Sequence, residues 1–195
     1  MERAKNISVA VLAGGKSSRM GQDKGLLPLG GRKMIEHVLN TAQTITPNVL
    51  IVANNEEYVN FSYRCFPDEI ADCGPMGAIF TALQKAGTDK VLVLCCDAPL
   101  ISTDVLRALV ENSGRENVLA AVHNGELQPL CAIYDKSCLG YFKNAISASH
   151  LKMKTALQEL KAKTLAFDGE MYREAFLNVN TPADLVQIKK LFDEK

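Results

Sequence analysis

The feature that most constrains this chain is the recurrence of short, almost unbroken aliphatic runs separated by stretches of helical periodicity. Ile7–Leu12 is the first run, and Val49–Val52 and Val91–Leu94 repeat it. A strand that is apolar at every position has no solvent face, so such runs suit a parallel sheet covered by helices on both sides. Tyr63–Phe66 reads as a further short strand. Between the runs, Ile35, Val38, Leu39 and Ala42 recur at helical spacing, as do Ile79, Phe80 and Leu83, then Val105, Leu106 and Leu109. The alternation predicts βαβ crossovers and an α/β fold: a three-layer α/β/α sandwich around a Rossmann-like, mostly parallel sheet.

The second half is less regular. Val118–Val122 and Leu130–Tyr134 read as strands flanking the turn-prone pair Asn124-Gly125. A helical region is expected from about Lys136 to Leu160, and a short strand near Thr164–Phe167. Thr181 can cap a last helix with Pro182 at its first position, and Leu185, Ile188 and Phe192 give that helix one apolar face. No repeat or long linker breaks the 195 residues, so a single domain over 1–195 is expected.

Charge narrows the function classes. The 22 basic and 22 acidic residues cancel, which argues against a nucleic-acid binder or a polybasic membrane-surface protein. No apolar run approaches the ~20 residues of a membrane span, and the stretch after Met1 is too short for a signal peptide. A soluble, cytoplasmic protein is expected. Cys65, Cys73, Cys95, Cys96, Cys131 and Cys138 form no C-x-x-C pair and no zinc-like spacing with His37, His123 and His150. They read as free thiols, several of them buried, and a redox or metal-thiolate protein is disfavoured.

The segment Leu12-Ala13-Gly14-Gly15-Lys16-Ser17-Ser18-Arg19-Met20-Gly21-Gln22-Asp23-Lys24 carries most of the functional information. It follows a buried strand, at the carboxyl edge where α/β sheets bind ligands. Gly14 and Gly15 allow close backbone approach and positive φ, so that N–H groups can converge on phosphate oxygens. Lys16, Arg19 and Lys24 add three cations. Two common phosphate motifs fail: a Walker A loop needs glycine where Ala10 stands, and G-x-G-x-x-G needs glycines at Lys16 and Arg19. The remaining readings are a distinct phosphate loop or a solvated basic turn.

This loop resembles the signature of the GT-A-like nucleotidyltransferases, and within them most closely the molybdenum cofactor guanylyltransferases, the MobA family. Their pattern, approximately L-A-G-G-x-S-x-R-M-G-x-D-K, is present here from Leu12 to Lys24. Cys96-Asp97-Ala98-Pro99 is similar to the family's C-D-x-P, whose aspartate binds magnesium. A carboxylate at a strand end beside a triphosphate also suits magnesium on chemical grounds, the bland alternative being a capped turn. Asp68 stands where the family carries an aspartate before its G-P-L-x-G turn, here Cys73-Gly74-Pro75-Met76-Gly77 with Met76 in place of the usual leucine. Asn54 matches the family's A-N-R, while Asn55 departs from it. Asn178 and Asn180 match the N-x-N-T-P motif and are expected on the acceptor side, with capping as the structural alternative.

The resemblance implies GMP transfer from GTP to the terminal phosphate of molybdenum-bound molybdopterin, with release of pyrophosphate. It assigns Arg19, Lys24 and Asp97 to catalysis, and Leu12, Ala13, Gly14, Gly15, Lys24, Asn54, Asp68 and Asp97 to the nucleotide. Asp97 is the expected ligand of Mg2+. Lys24 is expected to reach the triphosphate from the side opposite the metal. The nucleotide-binding half spans about 1–100 and the acceptor-binding half about 101–195. A monomer is expected, in transient contact with cofactor-donor and acceptor proteins. A molybdopterin cytidylyltransferase, a sugar-phosphate nucleotidyltransferase and a non-catalytic nucleotide-binding protein remain the alternatives.

Overall fold

Seven strands form one sheet in the spatial order Arg64–Phe66, Val49–Val52, Ile7–Leu12, Lys90–Cys95, Glu126–Asp135, Val118–His123 and Lys163–Ala166, in a computed structural model that describes residues 6–14 and 23–193. The strands are β1 (Ile7–Leu12), β4 (Val49–Val52), β5 (Arg64–Phe66), β6 (Lys90–Cys95), β7 (Val118–His123), β8 (Glu126–Asp135) and β9 (Lys163–Ala166). β5, β4, β1 and β6 run parallel; β8 is antiparallel to both β6 and β7, and β9 is parallel to β7. A two-stranded hairpin of β2 (Pro28–Leu29) and β3 (Arg32–Lys33) stands apart from it. This hairpin was not evident from periodicity, since two-residue strands are too short to show any.

β1 shows why the sheet is central. All six of its residues are buried, and side chains alternate across a strand. Ile7, Val9 and Val11 pack with α1 (Met34–Gln43) and α3 (Thr103–Asn112). Ala10 and Leu12 pack with α2 (Gly74–Lys85), α4 (Leu139–Ser147) and α5 (Met153–Glu159) on the other face. The expected layers are therefore present. Each Val, Leu or Ile so covered contributes roughly 1.5–3 kcal/mol. A third apolar cluster, with Leu27, Leu29, Met34, Val179 and Ile188, seats α6 (Pro182–Asp193), with Leu185 and Phe192 packed against it. That is the helix face read from the sequence.

Two expectations for the second half need correction. The helical region after Lys136 is not continuous. Ser149 adopts φ 57°, His150 N–H donates to the Ala145 carbonyl (2.8 Å) and Ser149 N–H to Ile146 (2.9 Å). These bonds form a Schellman cap that ends α4 and separates it from α5. The strand expected at Leu130–Tyr134 begins earlier, at Glu126. Asn124 (φ 50°) and Gly125 (φ 76°) both lie at positive φ, which makes a tight turn that lets pairing start at once. The register of β8 against β7 then slips, from Ala121↔Gln128 to Ala120↔Ala132. The extra residues Pro129, Leu130 and Cys131 bulge there.

Candidate active site

Register brings the site together. Phe66 pairs with Val52, Val52 with Leu12, and Leu12 with Cys95. Four parallel strands thus end level, and the residues just beyond them leave from one edge: Asp68, Asn54, Gly14 and Asp97. β1 has β4 on one side and β6 on the other, so this edge contains the switch point where open α/β sheets hold ligands.

At the root of the glycine loop, Cys96 N–H donates to the Leu12 carbonyl (3.0 Å) and Ala13 N–H to Val52 (2.9 Å). The side chains of Leu12 and Ala13 lie in the two cores. Gly14 is the first exposed residue beyond that ladder. It does not itself adopt positive φ. A Cβ there would meet no atom of the described residues within 4 Å. Gly15, Lys16 and Arg19 lie outside the described residues.

The loop's far end is fixed by a part-buried polar network. Asp23 accepts hydrogen bonds from Tyr58 Oη (2.5 Å), Asn55 Nδ2 (3.2 Å) and Gly25 N–H (3.1 Å). Tyr58 is fully buried, and burial pushes its phenol far above the ordinary range, so it remains a donor. Asn55 also accepts from Glu57 N–H (3.0 Å) and caps the turn that carries Tyr58. The residue that departs from the family pattern thus has a structural task here.

Lys24 follows Asp23 and turns inward. Its Nζ donates to Asn180 Oδ1 (2.8 Å) and lies 3.8 Å from Asp97 Oδ2, with side-chain exposures of 19% for Lys24 and 24% for Asp97. The Lys24 ammonium thus faces the Asp97 carboxylate. Asn178, Val179 and Asn180 form an extended segment in which Val179 is buried while both asparagines are exposed. Val179 N–H donates to the Asp97 carbonyl (2.8 Å), which holds the segment beside the end of β6. Asp184 accepts from Asn180 N–H (2.9 Å) and Thr181 N–H (2.8 Å), and its own N–H donates to Thr181 Oγ1 (3.2 Å). This reciprocal cap starts α6. The Thr-x-x-acid spacing could have revealed Asp184 from sequence.

Asn54 and Asp68 form a second pair, on the β4–β5 side. Asn54 Nδ2 donates to Asp68 Oδ2 (2.9 Å), and Asp68 N–H donates to Asn54 Oδ1 (2.8 Å). Asp68 Oδ1 is buried and has no hydrogen-bond partner among the described residues. An orphaned buried acceptor is costly, and it suits a site awaiting a donor from a ligand.

On the β8 side lies a cavity of about 230 Å³. Asp97, Asn178 and Asn180 line it, together with Gln128, Cys131 and Phe176. None of the last three was singled out from the sequence as a site residue, because Gln128 and Cys131 on β8 share no motif with the distant Phe176. Burial pushes Cys131 up to about 12 and, reinforced by the Asp97 charge, raises Cys95 and Cys96 as well. All are protonated at neutral pH, so thiolate chemistry is not what this site offers. No group of three or more His, Cys, Asp or Glu side chains able to hold a metal occurs among the described residues.

A switch-point crevice with a loop root on one side, a lysine–aspartate pair at its centre and a second cavity beyond describes a nucleotidyltransferase of the GT-A-like type. The chain belongs to the MobA-like NTP transferase domain family, whose pattern it matches over residues 9–164. It is 39% identical over 194 residues to the "Probable molybdenum cofactor guanylyltransferase" of Carboxydothermus hydrogenoformans, covering 97% of this chain and 98% of that one. It is 33% identical over 189 residues to the molybdenum cofactor guanylyltransferase of Vibrio parahaemolyticus, covering 94% and 95%. The crystal structure of molybdopterin-guanine dinucleotide biosynthesis protein A from Archaeoglobus fulgidus superposes with a TM-score of 0.81 at 25% identity, over 96% of this chain and all of that one.

Proposed function

We propose that this enzyme transfers GMP from GTP to the terminal phosphate of molybdopterin, in its molybdenum-bound form, giving the guanine dinucleotide and pyrophosphate. The observation that carries the reading is the position of Lys24, which joins the end of the glycine loop to Asp97 and Asn180 where nucleotide side and cavity meet. An oxygen of the acceptor phosphate attacks the α-phosphorus, a new P–O bond forms, and the bond to the αβ-bridging oxygen breaks. Both reactants are anions, so alignment and charge neutralisation matter more than proton transfer. Lys24 neutralises charge on the leaving pyrophosphate, assisted by Arg19. Gly14 and Gly15 let the triphosphate approach the loop backbone, whose root at Leu12 and Ala13 is fixed in the sheet. Asn54 and Asp68 hold the nucleoside, with Asp68 Oδ1 as a free acceptor for a base or ribose donor.

Asp97 is the residue that would hold Mg2+. A single carboxylate fits, because magnesium commonly takes one or two carboxylates and completes its shell with substrate phosphates and water. Bound there, the ion supplies electrostatic relief to the triphosphate. Asn178 and Asn180 orient the acceptor phosphate. We place the reaction in the cytoplasm, by a monomer that meets cofactor-donor and acceptor proteins transiently. The test is pyrophosphate release with molybdopterin and Mg2+, comparing GTP, CTP, ATP and no acceptor. GTP should be preferred, release should require acceptor, and chelation of the metal should abolish it. Better turnover with CTP would replace guanylyl by cytidylyl transfer.

A further inference from the structure

The cavity beyond Asp97 has a wall whose construction goes past charge and phosphate. Phe176 lines it and stacks on His123, ring centroids 4.7 Å apart and planes inclined by only 13°. His123 is itself held at both nitrogens. Its Nδ1 lies 2.7 Å from the Phe167 carbonyl, which can only accept, so Nδ1 carries the proton. Nε2 then accepts from Asn124 Nδ2 (3.1 Å). Asn124 N–H in turn donates to Asp168 Oδ1 (3.0 Å), which ties the β7–β8 turn to the chain leaving β9. Phe167 also packs on Phe176, centroids 5.9 Å apart. A half-buried aromatic braced in this way has lost its rotational freedom before any ligand arrives, which lowers the cost of stacking against it.

The rest of the cavity fits a planar, polar-edged ring. Gln128 supplies an amide that can both donate and accept, while Pro129, Leu130 and Cys131 form an apolar face at the β8 bulge. The volume of about 230 Å³ is below the roughly 300–1,000 Å³ of typical small-molecule sites, a size that suits a fused heterocycle better than a second nucleotide. We infer that Phe176 is the stacking wall for the acceptor's heterocycle and that His123 is a positioning residue acting through it. This rests on the proposed function, since it assumes that the acceptor carries a pterin-type ring behind its phosphate.

The test uses an oxidised, fluorescent pterin phosphate as probe, with GTP binding measured separately on the same protein. Phe176→Leu keeps apolar volume and removes the ring. It should weaken pterin phosphate binding about tenfold, the size that loss of an aromatic stack has on a bound heterocycle, and leave GTP affinity unchanged. Phe176→Tyr should bind as wild type does. His123→Ala should lose severalfold, His123→Phe should recover most of that loss, and His123→Ala should add nothing to Phe176→Leu, as coupling through one ring requires. Unchanged pterin affinity in Phe176→Leu, or a parallel loss of GTP affinity, overturns the stacking assignment alone. An additive double variant overturns the role of His123. Wild-type protein that takes GTP but no pterin overturns both this inference and the proposed acceptor.

Discussion

The two flanks of the β1–β6 edge are built on different principles. On the nucleotide side, polar side chains are paired with one another before substrate arrives: Asp23 has three donors, and Asn54 and Asp68 satisfy each other twice. On the acceptor side, antiparallel β8 bulges away from β7 and leaves a hollow walled by Phe176, Pro129, Leu130 and Cys131. A triphosphate gains most from fixed dipoles and cations, whose benefit depends on not having to reorganise. A heterocycle gains most from shape and a braced aromatic face. The residues between the flanks, Asp97 and Lys24, belong to both.

Substitutions at that boundary should therefore hurt most. Asp97→Asn keeps the shape and removes the charge, and turnover should fall by ~10³-fold, corresponding to several kcal/mol of transition-state charge stabilisation. Thermal unfolding should stay close to wild type, because Asp97's structural bond to Val179 uses its backbone carbonyl. Wild-type-like pyrophosphate release in the folded variant would remove Asp97 from the mechanism.

Lys24→Ala should come next, with kcat down by ~10²-fold, typical of losing one preorganised electrostatic group. GTP affinity should fall far less if the ammonium acts mainly on charge that grows on the leaving group. Single-turnover kinetics beside direct GTP binding separates the two. Loss of affinity with an unchanged chemical step would make Lys24 a nucleotide holder only.

Asp68→Ala should sharpen the comparison from the nucleotide flank. It removes the buried acceptor Oδ1, which has no partner among the described residues, and the bond to Asn54. GTP binding should weaken about tenfold, in line with loss of a hydrogen bond to a charged group. Pterin phosphate binding should be unaffected. Equal loss for both ligands, measured by titration, would show that the flanks are not independent.

Legibility follows the same divide. The parallel half was readable because its rules are local: fully apolar strands, glycines at a strand end and an acid at the next strand's end announce themselves in adjacent residues. The acceptor half obeys rules that sequence hides. α4 and α5 end in Schellman caps with Ser149 (φ 57°) and Lys161 (φ 52°), residues that give no glycine signal. The cavity draws on β6, β8 and the Ala175–Asn180 stretch, and the partners His123 and Phe176 are 53 positions apart in number yet stacked in space. Asn55 was readable only as a departure from a family pattern, because its bond to Asp23 spans 32 residues.

The smallest effect expected is at Asp184, which tests whether the cap of α6 serves the boundary. Its carboxylate accepts the Asn180 and Thr181 N–H groups, with added help from the Thr181 hydroxyl and the Lys24 charge, and these hold it below the ordinary carboxylate range. A folded-state value lower than the unfolded one means stability that is fully present above about pH 4, the unfolded range for aspartate, and lost as pH falls through the depressed folded value. Asp184→Ala should thus cost ~1 kcal/mol at neutral pH, as loss of a helix cap does. The gap in Tm between wild type and variant should stay constant from neutral pH down to about pH 5 and close in stronger acid. Because Asp184 also fixes the backbone of Asn180, acceptor KM should rise slightly while GTP affinity holds. A Tm gap independent of pH would show that the carboxylate's charge has no part in holding the turn.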